Sequence, residues 1–157
     1  MMDRCLRDEA QTLHAGALVA PHVAPGMVIT LSGDLGAGKT TLARGLLRAA
    51  GVEGPIKSPT YDLVEQYSIS SIYFYHIDLY RFTDAREWDA SGLAECFRND
   101  AVCLVEWPSR LPGILPTPDV ALDLAFPAQG DGRILRVHAH GARGERCRVA
   151  LAVLPPA

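Results

Sequence analysis

No apolar run in this sequence approaches the roughly 20 residues that a bilayer-spanning helix needs. The opening "MMDRCLRDEAQT" carries acidic residues and has no apolar stretch of the signal-peptide kind. Cysteine is sparse: Cys5, Cys96, Cys103 and Cys147, with no C-x-x-C pair among them. Without a secretion signal, four reduced thiols are expected, and no disulfide or zinc framework. Basic excess is missing too: 15 Lys and Arg stand against 18 Asp and Glu, a net charge of −3. That balance excludes the global basic field of a stand-alone nucleic-acid binder, though not a local basic patch. There is no internal repeat and no low-complexity linker. Together these absences predict a cytoplasmic location.

What is present is an ordinary globular composition, 48% apolar and 21% charged over 157 residues. That length suffices for one domain, expected to span residues 1–157, and is short for two. Residues 33–40 read "GDLGAGKT", matching G-x-x-x-x-G-K-[ST]. The preceding "MVITLS" (27–32) is nearly all apolar and reads as a strand buried on both faces. The following "TTLARGLLRAA" (40–50) places Leu42, Leu46 and Ala50 on one helical stripe, with Gly51 as its stop. Strand, glycine loop, helix is the context in which this motif grips phosphate. The backbone N–H groups of Gly36, Ala37 and Gly38 would turn inward around the anion, and the helix N-terminus would point at it. Lys39 is placed to reach the β- and γ-phosphates, Thr40 to ligate Mg²⁺, and Thr41 to add a phosphate hydrogen bond.

Other elements follow from periodicity. "DEAQTLHAGALVA" (8–20) predicts a helix with Leu13, Ala17 and Ala20 on one face, stopped by Pro21. "YDLVEQYSI" (61–69) and "IYFYHIDLY" (72–80) predict an antiparallel pair across "SS". Asp84 and Glu87 mark a helix start, and Ser91 a second one. "AVCLVEW" (101–107) predicts a buried strand. Three late strands are expected at 120–126, 133–140 and 147–153, with a turn at "QGDG". The sum is an α/β fold: a P-loop-like three-layer domain with a central mixed sheet.

Two acids close apolar runs, Asp78 in "IYFYHID" and Glu106 in "AVCLVE". Metal binding and orientation of an attacking water are both carboxylate tasks, and pattern does not assign them between the two. In "KSPTYDL" (57–63), Thr60 sits either on a segment that responds to the γ-phosphate or on an ordinary turn. The motif itself also serves small-molecule kinases and nucleotide-sensing switches. A kinase needs a lid of arginines, but Arg81, Arg86, Arg98 and Arg110 are scattered.

"GDLGAGKTT", "KSPTYDLVEQY", "YHIDLYR" and "LVEW", in this order, resemble the TsaE (YjeE) family, over about Gln11 to Arg136. The glycine motif is generic; "SPTY" before "HIDLYR" and then "VEW" is specific. The resemblance implies a Mg²⁺-dependent ATPase of tRNA threonylcarbamoyladenosine biosynthesis, weak alone. It implies that the protein acts with TsaB and TsaD, TsaD being the transferase at adenosine 37, and meets tRNA only through that complex. It further implies Thr40 and Glu106 as metal ligands, Lys39, Asp78 and Glu106 as the residues on which hydrolysis depends, and Thr60 on a switch-like loop. Thr12 matches a threonine near the nucleotide, and Arg133 lies where a late-strand nucleotide contact would come from. Trp107 follows the acid in the family pattern. His14 stands where the family often has Leu, and is expected at the helix surface. After Gly141 the resemblance carries little.

Overall fold

The computed structural model describes all 157 residues. Seven strands form one sheet: β1 (Met2–Leu6), β2 (Val28–Gly33), β3 (Val64–Ile69), β4 (Ile72–Asp78), β5 (Ala101–Glu106), β6 (Val120–Ala125) and β7 (Arg133–Ala139). Their spatial order is β1-β7-β6-β2-β5-β4-β3. The inner strands β6, β2, β5 and β4 are mutually parallel, and the flanking pairings are antiparallel. β5 is buried along its whole length, as its unbroken apolar run requires of a strand covered on both faces.

Helices α1 (Glu9–Val19), α2 (Lys39–Ala50) and α4 (Gly141–Leu151) cover one face. There Ala15, Leu42, Leu46 and Cys147 pack on Ile29, Leu31, Leu104 and Leu122. On the other face α3 (Ala85–Ser91) and short 3₁₀ turns cover the β4–β5 half. Trp88, Phe82, Leu93 and Leu111 pack there on Ile77, Cys103 and Val105. The result is the three-layer α/β arrangement expected.

α1 and α2 meet backbone to backbone. A β-carbon at Gly16 would collide with the Leu42 carbonyl oxygen, and one at Gly45 with the Leu13 carbonyl oxygen. The buried face of α1 is therefore Thr12, Ala15, Gly16 and Val19, rather than the Leu13–Ala17–Ala20 stripe. Close approach at glycine, not the largest side chains, sets the helix rotation. His14 is exposed, as expected.

Several boundaries agree with the sequence reading. α2 begins at Lys39 and ends at Ala50, with Gly51 capping it at φ 116°. β3 and β4 form the hairpin, turned by Ser70 and Ser71, both at positive φ. Asp84 caps α3 by accepting from the N–H groups of Arg86 and Glu87, and Glu87 reaches back to the Thr83 N–H. Near Ser91 a 3₁₀ turn, Leu93–Cys96, follows rather than a full helix.

One expected strand is absent, and one strand is present that no pattern suggested. Residues 147–153 are not a strand: they continue α4 and a C-terminal turn, with Cys147 and Leu151, four apart, buried in the core. Their Ala, Leu and Arg content suits a helix, and the sheet edge they would have joined is already taken. β1 occupies it, antiparallel to β7, and it was not foreseen. Its only apolar-in signal is Met2 and Leu6 around a half-buried Arg4, a pattern too short to stand out from a polar terminus.

Candidate functional site

The carboxyl ends of β2, β5 and β4 lie side by side, and the glycine loop leaves from β2. Register pairs Leu31 with Glu106 and Glu106 with Asp78. The two acids that closed separate apolar runs are thus neighbours on one sheet face, beneath the start of α2. Gly33, Gly36 and Gly38 all have positive φ, and a β-carbon at Gly33 would collide with the Leu124 carbonyl. The loop therefore curls over the strand ends, and its last glycine caps α2.

A cleft of about 280 Å³ opens beside the loop, lined by Lys39, Thr40, Thr60, Asp78, Glu106 and Trp107. A second, of about 220 Å³, lies across the loop and is lined by Asp8, Thr12, Gly36, Ala37, Thr41 and Arg133. Every residue singled out for the site lines one of these two clefts. Gly36, Gly38 and Thr41 line both.

The contacts within the first cleft are short and directional. The Thr40 hydroxyl donates to both carboxylate oxygens of Glu106, at 3.1 and 3.0 Å. Lys39 Nζ donates to the carbonyls of Gly33 (2.7 Å) and Asp34 (2.9 Å) and lies 4.3 Å from the centre of the Trp107 ring. The Tyr80 N–H donates to Asp78 Oδ1 at 2.8 Å. Thr60 reaches Asp78 Oδ2 only at 3.4 Å, and Ser58 lies 2.8 Å from Thr60. The Thr60 hydroxyl therefore touches the site through one long contact, while the Asp78 N–H donates to the Leu63 carbonyl at 2.9 Å and ties the end of the segment to β4. The segment's backbone is wound tightly: the Leu63 N–H bonds the Pro59 carbonyl, with Leu63 itself at φ +67°.

Burial shapes the electrostatics. Desolvation pushes the Lys39 ammonium below its ordinary value, while Glu106, Asp78 and Asp34 pull it upward. Desolvation raises the Asp78 carboxyl, and the Glu106 charge adds to it; the Tyr80 N–H, His76 and Thr60 act the other way. A buried cation thus sits among three acids, a grouping characteristic of functional sites.

Arg133 takes an unexpected posture. Its guanidinium donates to the carbonyls of Ala37 (3.0 Å) and Gly36 (3.1 Å), and it lies 4.2 Å from the centre of the Phe126 ring. In this state it braces the outer side of the loop, where its carbonyls point.

Sequence reasoning missed three residues. His76, two before Asp78 on β4, faces the same way and is fully buried. The strand's period of two was the available signal. Tyr80 lines the first cleft and packs on Trp107 at 4.9 Å between ring centres. Arg110 lies over both rings, at 4.8 and 5.5 Å. Trp107 is held at φ +60° directly after β5, which turns its ring toward Lys39 and Tyr80.

A parallel-centred sheet with a glycine loop at its carboxyl end defines a P-loop-like α/β protein. The comparisons narrow this. The family model "Threonylcarbamoyl adenosine biosynthesis protein TsaE" matches residues 6–134. The tRNA threonylcarbamoyladenosine biosynthesis protein TsaE of Haemophilus influenzae is 44% identical over 112 residues, 71% of each chain. That of Treponema pallidum is 34% identical, covering 83% of this chain and 97% of its own. A crystal structure of Bacillus subtilis YdiB superposes with a TM-score of 0.80 at 30% identity, covering 97% of this chain and 94% of that one. The chain belongs to the TsaE family, whose description places it in tRNA threonylcarbamoyladenosine biosynthesis. No helix is long and apolar enough to cross a membrane.

Proposed function

We propose that this chain binds and hydrolyses ATP with Mg²⁺, and that it does so as the cytoplasmic ATPase partner of TsaB and TsaD in tRNA threonylcarbamoyladenosine formation. The observation that carries the reading is the convergence of Thr40, Lys39, Asp78 and Glu106 on one cleft at the loop. The donor set fits Mg²⁺: a hydroxyl and carboxylates, all oxygen, with no cluster of three or more His, Cys, Asp or Glu side chains that would cage a metal. Mg²⁺ is typically held by one or two protein oxygens together with phosphate and water. When bound, it would polarise the terminal phosphates and neutralise charge developing on them.

The chain's own residues divide the remaining work. Thr40 and Glu106 hold the metal. Lys39 leaves the Gly33 and Asp34 carbonyls for the phosphate oxygens, exchanging neutral acceptors for charged ones. Asp78, whose pKa burial raises above the ordinary carboxyl value, orients the attacking water. Water's oxygen bonds the γ-phosphorus as the bond to the bridging oxygen breaks; the electron pair of that bond leaves on ADP, the water's proton passes to a phosphate oxygen, and ADP and phosphate leave. The loop N–H groups of Gly36, Ala37 and Gly38, with Thr41, receive the remaining phosphate charge. Thr12 and Arg133, in the second cleft, bound the rest of the nucleotide. The first cleft has no lid of arginines, which favours hydrolysis over transfer to a metabolite.

The deciding experiment measures Mg²⁺-dependent ATP hydrolysis by the purified chain, alone and with an active TsaB–TsaD pair. The expected result is weak turnover that rises on addition of the pair. No stimulation by active partners would overturn the proposed role, and transfer of γ-phosphate to a metabolite would replace hydrolysis with kinase chemistry.

A further inference from the structure

His76 belongs to the site although it touches neither cleft. Its Nε2 lies 2.6 Å from Glu106 Oε2, with both side chains buried. Glu106 is otherwise fixed only by the Thr40 hydroxyl, which spans its two oxygens. A glutamate has three side-chain torsions, and a carboxylate meant for a metal must be kept from swinging. The imidazole supplies that restraint from below, from a rigid inner strand.

A packing role alone does not explain a histidine here. Its other nitrogen, Nδ1, is buried and has no hydrogen-bond partner. An apolar side chain would fill the space between Phe74 and Asp78 on this face of β4 without stranding a polar atom. Retaining an imidazole under that penalty points to the one bond it does make.

We propose that His76 is a positioning residue for the metal: its Nε2–H donates to Glu106 and aims that carboxylate, with Thr40, at Mg²⁺. The inference rests on the Mg²⁺–ATP reading above.

The test compares ADP affinity with Mg²⁺ and with EDTA in the wild type, His76→Gln and His76→Asn. A glutamine carboxamide nitrogen reaches the place of Nε2, whereas that of asparagine reaches only the place of Nδ1. Expected is a Mg²⁺-dependent gain in affinity that survives in His76→Gln and shrinks about tenfold in His76→Asn. ADP affinity in EDTA should be alike in all three. An undiminished Mg²⁺ effect in His76→Asn would overturn the inference while leaving the Mg²⁺ reading intact. A wild type without any Mg²⁺ effect would sink both. Should His76→Asn not fold, nitrogen NMR of the wild type still decides. Protonation at Nε2, with a resonance that moves on adding Mg²⁺ and ADP but not ADP in EDTA, supports the inference; protonation at Nδ1 alone overturns it.

Discussion

Lys39 shows how one residue depends on its surroundings. The motif predicted its phosphate role, yet its present partners are two loop carbonyls and the face of Trp107. Replacing it with Ala removes the one buried cation among Asp34, Asp78 and Glu106. Lys39→Ala should lower kcat/KM for ATP by about 100-fold or more, as loss of an electrostatic donor does; unchanged steady-state turnover would refute its assignment. Asp78 makes the opposite trade. Its folded carboxyl has a pKa above its ordinary value, so the folded state holds its proton more tightly than the unfolded chain does. Its contribution to stability is therefore greatest at low pH and declines as pH rises through the folded value. Asp78→Asn, which keeps an acceptor for the Tyr80 N–H, should melt higher than wild type at pH 7. That difference should shrink as the pH falls through the folded value and the wild-type carboxyl takes up its proton, while hydrolysis is lost throughout. A lower Tm at pH 7 would count against burial as the cause of the shift. Both acids were legible because each closes an apolar run. Their adjacency, and the His76 bond beneath them, was not, because strand order is a property of the sheet and not of either segment.

At the scale of elements, the seam between α1 and α2 governs the second cleft. Gly16 and Gly45 let the two backbones touch, and this brings Thr12 close to Gly38. Gly45→Ala drives a methyl into the Leu13 carbonyl. Overpacking of this kind costs about 1–3 kcal/mol, and each kcal/mol lowers Tm by about 2–4 °C in a chain of this size. Because α1 must move to relieve it, nucleotide affinity should fall as well. Calorimetric melting and ADP titration check both effects, with exposed His14→Ala as the control expected to change neither. The helix was legible from its pattern, but its buried face was not: side-chain size predicted the Leu13 stripe, whereas the absence of side chains decided the contact. The C-terminal segment failed for a related reason. "CRVALAV" is apolar enough to read as a strand, but its residues suit a helix, its buried Cys147 and Leu151 are four apart, and the sheet edge it would join is held by β1, so it packs as part of α4.

Across the whole molecule, the site is where separate parts of the fold meet. The loop from β2 and the helix it starts are joined to β5 through Thr40 and Glu106, and to β7 through Arg133, while Asp78 on β4 holds the Thr60 segment by a long side-chain contact to Thr60 and a backbone bond to the Leu63 carbonyl. A ligand seated on that loop should therefore stabilise the molecule as a unit. At a concentration about 100 times its dissociation constant, the linkage amounts to about 2.7 kcal/mol, or a rise in Tm of about 5–10 °C. The distribution of that stabilisation separates two readings of residues 57–63 left open by the sequence. If this segment is an ordinary turn, amide exchange there should slow equally with Mg²⁺–ADP and with a non-hydrolysable Mg²⁺–ATP analogue. If Thr60 responds to the γ-phosphate, the analogue alone should slow exchange across Thr60 to Leu63, beyond the protection that both ligands give Gly36 to Thr41. The exposed Tyr61 and the long Thr60 bond favour the second outcome, since the Thr60 hydroxyl reaches Asp78 only at 3.4 Å and has little to lose there when a better acceptor arrives. Equal protection by the two nucleotides would assign the segment to the fold rather than to the switch.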